Sequence, residues 1–179
     1  METTRYIALL RGINVGGNNI IRMTDLKASF EELEFRDVVT YIQSGNVLFT
    51  TTEQDKQVLI DRIEQHLSGR FAYQSKIVLI SMEHLRRIVE SAPADFGDHP
   101  DEYRYNVLFL KEPLTTREAL QSIRIKEEVD QVWEGEEVLY FSLLISRATQ
   151  SYLSKIVGQP IYKSITIRNW NTTTKLLKK

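Results

Sequence analysis

The sequence has no cysteine, no long apolar run and no excess of either charge. The missing cysteine excludes a disulfide framework, a thiolate metal site and a cysteine nucleophile. No apolar run approaches the roughly 18 residues of a membrane span, and Arg11 interrupts the only apolar run near the start. We therefore expect a cytoplasmic protein without a signal peptide or a membrane partner. The net charge of -1 argues against a large nucleic-acid footprint.

The first half predicts the order strand, helix, hairpin, helix, strand. Thr24 is placed to cap the first helix, because helical spacing of apolar residues begins just after it. Ser44-Gly45-Asn46 interrupts a β-branched and aromatic stretch, as a tight hairpin turn does. Ser68-Gly69 is typical of a helix C-terminus and ends the second helix. The predicted segments are residues 5–11, 24–34, 37–51, 53–67 and 76–80.

The second half repeats this order after a linking helix that Ser81 begins. Residues 93–102 have the Pro, Gly and Asp content of a connector. Thr115 and Glu118 fit a capping box, and Ser146 predicts the start of another helix, which ends at residues 158–160. The other predicted segments are a strand at 104–110, a hairpin of 131–133 with 138–143, a strand at 164–168 and a short helix from about residue 171.

These segments predict an α+β protein made of two βαββαβ units in tandem. A chain of 179 residues can bury a core unaided and allows two small domains. We place the first domain at residues 1–92 and the second at residues 93–179. The halves share little sequence identity, so the repeat is one of element order. The alternative is a single larger sheet shared by both halves.

Two polar segments are expected to meet at one end of the first sheet. In a split βαβ unit, the loop after the first strand and the turn of the central hairpin emerge at the same end. Residues 11–19 and 43–46 should therefore converge, and both are rich in Gly, Asn, Gln and Ser. Exposed backbone N–H groups, short amides and the guanidinium of Arg11 would suit an anion or a polar ring. The alternative is purely structural, since all these residue types also form turns.

The segment after residue 163 is basic and carries a second candidate group. Trp170 stands between two asparagines and close to Arg168, a combination that suits stacking on a base or covering a phosphate. The structural alternative is that Trp170 packs the last helix onto the sheet while Asn169 or Asn171 caps that helix. The Walker A and GxGxxG spacings are both absent.

No constellation in the sequence identifies a reaction or a metal site. The three histidines are isolated, and neither HExxH nor GxSxG occurs. The connector crowds several acidic residues, but their spacing does not match a calcium loop, and solvated linkers are commonly acidic. We predict neither a metal nor a cofactor. The connector's possible ligands are Asp95, Asp98, His99, Asp101 and Glu102.

Three stretches together resemble the signature of one bacterial family. They are RGINVGG at residues 11–17, TYIQSGNV at 40–47 and RNWNT at 168–172. Across essentially the whole chain, the sequence resembles the domain of unknown function 1697 family. The resemblance implies two tandem ferredoxin-like units with antiparallel sheets. It implies no established activity, substrate or catalytic residue.

The sequence thus favours a binding protein that holds a phosphate-bearing ligand, a nucleotide or an RNA, at the meeting point of the two polar loops. One alternative is an enzyme that uses the same edge to stabilise developing negative charge. Another is a structural or partner-binding module. The oligomeric state is not predicted. The candidate ligand-binding residues are Arg11, Asn14, Gly16, Gly17, Asn18, Gln43, Ser44, Asn46, Arg168, Asn169, Trp170 and Asn171.

Overall fold

The computed structural model describes residues 2–179, which divide into two compact units. The first unit extends to His84 and includes Lys179, and the second is Leu85–Lys178. Each unit contains its own four-stranded antiparallel sheet. The predicted α+β fold with two ferredoxin-like units is therefore confirmed, and the single shared sheet is wrong. The domain boundary between residues 92 and 93 stays a prediction.

The first unit has the element order βαββαβ and the sheet order β2-β3-β1-β4. Its central strand β1 pairs antiparallel with both β3 and β4, so Tyr6 lies between Phe49 and Ser81. The elements are β1 (Thr4–Leu10), α1 (Met23–Glu32), β2 (Arg36–Tyr41), β3 (Asn46–Thr51), α2 (Lys56–Phe71) and β4 (Ile77–Ser81).

The core of the first unit lies between the sheet and its two helices. Alternate residues of β1, among them Ala8 and Leu10, share one buried cluster with Phe30 of α1 and Leu59 of α2. The outer strand β2 is irregular, because its register against β3 shifts between Arg36 and Val39.

Two predicted helix ends of the first unit are wrong. Helix α1 begins at Met23, one residue before Thr24, and its N-cap Arg22 makes no side-chain capping hydrogen bond. Helix α2 passes through Gly69 and ends at Phe71, and its C-cap Ala72 has a φ of 51°. The helix continues because Phe71, in its last turn, still packs against the core. Ser68 and Gly69 suggested a helix end, but the tertiary packing of Phe71 outweighs this local preference.

The second unit repeats the sheet topology with the order β6-β7-β5-β8. The linking helix α3 (Met82–Glu90) precedes the first strand of this sheet, and the hydroxyl of Ser81 accepts from the N–H of His84, as predicted. The capping box of Thr115 and Glu118 is also confirmed. The elements are β5 (Tyr103–Leu110), α4 (Thr116–Ser122), β6 (Asp130–Glu134), β7 (Val138–Leu144), β8 (Ile165–Asn169) and α5 (Trp170–Leu176).

The helix predicted to begin at Ser146 is wrong. Three short 3₁₀ segments, Ile145–Gln150, Leu153–Gly158 and Pro160–Ser164, connect β7 to β8. In a continuous α-helix the N–H of Tyr152 would donate to Ala148, but here it donates to Oδ2 of Asp130 at 2.9 Å. Pro160 has no N–H with which to extend the helix. The connection is therefore built from single turns.

No helix among residues 2–179 is both long enough and apolar enough to cross a membrane.

Candidate functional site

The two polar loops of the first unit meet, as the topology predicted. Nδ2 of Asn14 donates to the backbone oxygen of Gln43 at 2.9 Å, and the N–H of Leu10 donates to the oxygen of Gly45 at 2.8 Å. Gly45 has a φ of 85°, and an ideal Cβ there would lie 2.8 Å from Cβ of Leu10, so the turn fits at this position only as glycine. We call residues 11–19 and 43–46 the loop edge.

The glycine loop is a miniature hairpin. Val15 and Asn18 form a bridge, with the N–H of Asn18 donating to Val15 at 3.0 Å. Gly16 and Gly17 occupy its tip with φ of 59° and 76°, and a turn with two positive φ angles favours glycine at both positions. Both tip residues are exposed. The structural reason for the two glycines is therefore clear, whether or not a ligand binds there.

Several side-chain amides of the loop edge already have hydrogen-bond partners inside it or in the residues beside it. Asn46 is fully buried, and its Nδ2 donates to Tyr41 at 2.8 Å and to Oγ of Ser44 at 3.1 Å. Nδ2 of Asn14 also donates to Ile21, while Nδ2 of Asn19 donates to Gly12. These side chains hold the loop in shape.

The remaining candidates at the loop edge are more accessible, and so are apolar side chains that the sequence analysis did not single out. Asn18, Gln43 and Ser44 are exposed and Arg11 is half-buried. Val15 of the loop edge exposes 62% of its surface, and Ile20, the residue just after the loop edge, exposes 75%. The loop edge is therefore less polar than its Gly and Asn content suggested.

The RNWNT segment lies in the second unit, where it ends β8 and begins α5. Arg168 is buried, and burial lowers its pKa to about 10, an effect that Tyr162 partly offsets. Its Nη1 donates to the oxygen of Ile167 at 2.9 Å. Oδ1 of Asn169 accepts from the N–H of Thr172 at 2.7 Å and so caps α5, which confirms the structural alternative for Asn169.

Trp170 belongs to an aromatic cluster that the connector completes. Phe96 lies edge-on to Trp170 at 5.1 Å between ring centroids, and it contacts Tyr105 at 4.9 Å in the same manner. It also contacts Trp133 and Tyr140. Gly97 has a φ of 97°, and a Cβ there would lie 2.4 Å from two indole atoms. The connector approaches the indole this closely only because residue 97 is glycine.

Beside this cluster the second unit has a cleft of about 630 Å³. It combines residues of the connector, the first half of β5 and the RNWNT segment. The volume lies within the usual range of small-molecule sites. Of the predicted residues, Asn169, Trp170 and Asn171 line it; the buried Arg168 is not among the lining residues. The lining residues are Gly97, Pro100, Tyr103, Arg104, Tyr105, Asn106, Asn169, Trp170, Asn171 and Thr174.

The connector's acidic residues do not assemble a metal site. Over residues 2–179, no group of three or more His, Asp or Glu side chains is arranged to hold a metal ion. The candidates for ligand binding thus fall into two places, the loop edge of the first unit and the cleft of the second.

Comparison with known proteins decides the family. The sequence profile of proteins of unknown function called DUF1697 matches residues 3–140. The chain belongs to the DUF1697 family. The match contains the RGINVGG and TYIQSGNV stretches, whereas the RNWNT stretch lies beyond it. DUF1697 membership assigns no activity. No curated protein is significantly similar to the chain.

A solved structure extends the similarity of this DUF1697 chain beyond the profile match. A conserved bacterial protein from Streptococcus pneumoniae superposes with a TM-score of 0.87 at 27% sequence identity. The similarity covers 99% of this chain and 98% of that protein. The cleft and the RNWNT stretch therefore lie within the region that the two proteins share.

Proposed function

We propose that this protein binds a phosphate-bearing ligand, a nucleotide or an RNA. The observation that carries the proposal is the cleft of the second unit, because it combines aromatic rings, amides and an arginine in one small-molecule-sized space. Trp170 and Tyr105 offer stacking surfaces, and Arg104 offers a planar fork of donors that suits phosphate oxygens. The amides of Asn106 and Asn171 are suited to the polar edge of a base.

The loop edge of the first unit is proposed as a second contact for phosphate. Gly16 and Gly17 form an exposed turn, and backbone N–H groups in such turns are suited to anions. Arg11 would add charge, and Gln43 and Ser44 would add polar contacts from the neighbouring turn. The amides of Asn14 and Asn46 act through the loop's shape, since they donate to the backbone oxygens of Gln43 and Tyr41.

Catalysis at the loop edge has less support than binding. A general base would be marked by a carboxyl group or histidine with a perturbed pKa close to Arg11. Two carboxyl groups with a shifted pKa are Glu32 on α1 and Glu118 on α4, and both pKa values are lowered. Neither residue belongs to the loop edge. Binding is therefore the function that the geometry favours.

Intrinsic fluorescence tests the proposal, because the protein's two tryptophans are Trp133 and Trp170. We expect titration with nucleotides or short RNAs to change the emission of the wild-type protein. The change should persist in Trp133→Phe and be lost in Trp170→Phe, since Trp170 lines the cleft and Trp133 does not. No binding of any nucleotide or RNA in equilibrium dialysis would reject the proposal.

A matched pair of variants separates the two proposed contacts. Gln43→Ala removes an exposed polar side chain of the loop edge, whereas Asn171→Ala removes one from the cleft. We expect Asn171→Ala to weaken binding several-fold, and Gln43→Ala to do so only where the ligand also contacts the loop edge. An unchanged affinity in Gln43→Ala would remove the loop edge from the proposal.

A further inference from the structure

The geometry points to a ligand of mononucleotide size for the cleft of the second unit, with one planar ring and one anionic group, rather than to a nucleic-acid polymer. This inference rests on the proposed function and narrows its ligand class. Four features of the cleft lead to it: the two faces of β5, the fixed ring side, the single cation and the acidic connector.

The cleft lies across the first half of β5, where the two faces of the strand differ in chemistry. Side chains alternate between faces along a strand. Arg104 and Asn106 therefore share the face of Leu108, which belongs to the core cluster under the helices. Tyr103 and Tyr105 lie on the opposite face. The cleft reaches both sets, because its lining includes the rings of Tyr103 and Tyr105 as well as Arg104 and Asn106.

The ring side is fixed before any ligand arrives. Phe96 is buried and holds Trp170 and Tyr105 by edge-on contacts, and Gly97 lies directly against the indole. The rings of Tyr103 and Tyr105 are 6.2 Å apart between centroids. A rigid aromatic wall of this extent suits one planar ring, because preorganised rings stack without an ordering cost.

The polar side carries one cation. Among the lining residues, all of which lie in the described chain, Arg104 alone has a formal charge, and it is exposed. One guanidinium matches one phosphate or carboxylate in a bidentate pair. A nucleic-acid groove instead tracks several phosphates with several cations.

The residues around the ring side are acidic and would repel the phosphates of a nucleic-acid backbone. The connector that supplies Gly97 and Pro100 exposes four carboxylates in ten residues. A polymer that continued past the connector would meet like charge at each of them. The four carboxylates are Asp95, Asp98, Asp101 and Glu102.

The test compares one ring, one phosphate and a polymer. Isothermal titration calorimetry of the full chain would use AMP, GMP, CMP and UMP, with adenosine, inorganic phosphate and a ten-nucleotide adenylate RNA as comparisons. We expect at least one mononucleotide to bind about tenfold or more tighter than its nucleoside or phosphate, because each lacks half of the contacts. The RNA should bind no tighter than AMP. The slope of log K against log salt should stay near the value for one phosphate contact.

Arginine variants provide the matched control. Arg104→Ala should reduce the affinity for AMP to that for adenosine while leaving adenosine binding unchanged. A merely structural role of Arg104 would weaken both ligands equally. Arg124→Ala removes an exposed arginine of the same unit outside the cleft, and it should change neither affinity.

The outcomes separate this inference from the proposed function. Tighter binding of the RNA with a steep salt dependence would overturn the mononucleotide class and leave phosphate-ligand binding standing. Equal weakening of AMP and adenosine by Arg104→Ala would also overturn it. No binding of any of these compounds would reject both this inference and the proposed function.

Discussion

The two units share a strand order but differ in the second crossover. In the first unit the crossover is α2, a helix of 16 residues whose N-cap Asp55 accepts from the N–H groups of Gln57 and Val58. In the second unit three 3₁₀ segments cover the same topological step. There the carboxylate of Asp130, at the start of β6, accepts from the N–H groups of Lys126 and Tyr152.

This difference shows that a sheet topology does not require a particular crossover structure. The first crossover is stabilised by a continuous helix that buries Leu59, Ile63 and Leu67. The second buries fewer side chains per segment and makes hydrogen bonds within single turns, such as that from Lys155 to Tyr152. The buried Asp130 accepts from Tyr152, where a continuous helix would have used its own carbonyl. The second unit also contains the connector's aromatic cluster, and the cleft lies beside that cluster.

The largest expected effects come from the two cores. Phe49→Ala and Phe141→Ala each remove a fully buried ring and should lower the free energy of unfolding by about 3–5 kcal/mol. Urea unfolding is followed by far-UV circular dichroism and by tryptophan fluorescence, which reports on the second unit alone. With two independent domains, Phe141→Ala shifts the fluorescence transition and Phe49→Ala does not. An equal shift of that transition in both variants would contradict the proposed domain division.

The two crossover anchors should differ in strength. Asp130→Ala leaves two backbone N–H groups without their acceptor at a buried position, which we expect to cost about 2–4 kcal/mol. Asp55→Ala removes an N-cap, for which about 1 kcal/mol is usual. Urea midpoints of the two variants give the comparison. Equal losses of stability in the two variants would contradict this expected difference between Asp130 and Asp55.

Two glycines provide changes of opposite sign. Gly97→Ala forces a side chain into a left-handed conformation and against Trp170, and should destabilise the second unit by about 1–3 kcal/mol. Gly69→Ala meets open space inside α2 and should stabilise the first unit by about 0.5–1 kcal/mol. Thermal unfolding measures both effects. Destabilisation by Gly69→Ala would argue against a helical residue 69.

The smallest expected effects concern two carboxylates. The hydrogen bond from Arg70, with smaller contributions from His66, lowers the pKa of Glu32, and hydrogen bonds from Thr115 lower the pKa of Glu118. A carboxyl group whose pKa is lowered in the folded state stabilises the fold at pH values above its usual pKa of 4.5. This stabilisation is lost as the pH falls through the pKa of the folded state. Glu32→Gln and Glu118→Gln should each flatten the acid limb of the stability curve.

Salt distinguishes the two carboxylates. Glu32 acts through an exposed ion pair, so added salt should reduce the difference between Glu32→Gln and the wild type. Glu118 acts through its capping box, so its effect should persist. Urea midpoints from about pH 3 to 6 at low and high salt check both. A salt-sensitive Glu118→Gln would contradict the capping explanation.

The strands and their order were predictable because short apolar runs and turn residues are local signals. Residues 5–11 and 104–110 each predicted a strand, and β1 and β5 occupy those positions. The crossover of the second unit was not predictable, because its shape depends on Asp130, which lies far from Tyr152 in the sequence. The end of α2 was predicted wrongly at Gly69, because the packing of Phe71 against the core continues the helix.

The candidate site was predictable only in part. The meeting of the two polar loops followed from topology, and Trp170 followed from its polar neighbours. Tyr103 and Arg104 were missed because their strand resembled core, and the cleft forms only where the connector folds against it. Phe96 and Gly97 gave the available signal, an aromatic residue and a glycine in an otherwise polar connector.

The register shift in β2 has a consequence for encounters between copies of the protein. An outer strand offers unpaired backbone groups, and a regular one can add a foreign strand along its whole length. Here the irregularity between Arg36 and Val39 interrupts that row, and Asp37 adopts a φ of 50° beside it. The β2 edge of the first sheet is therefore a poor site for pairing with a strand of another copy, even though Val39 is exposed.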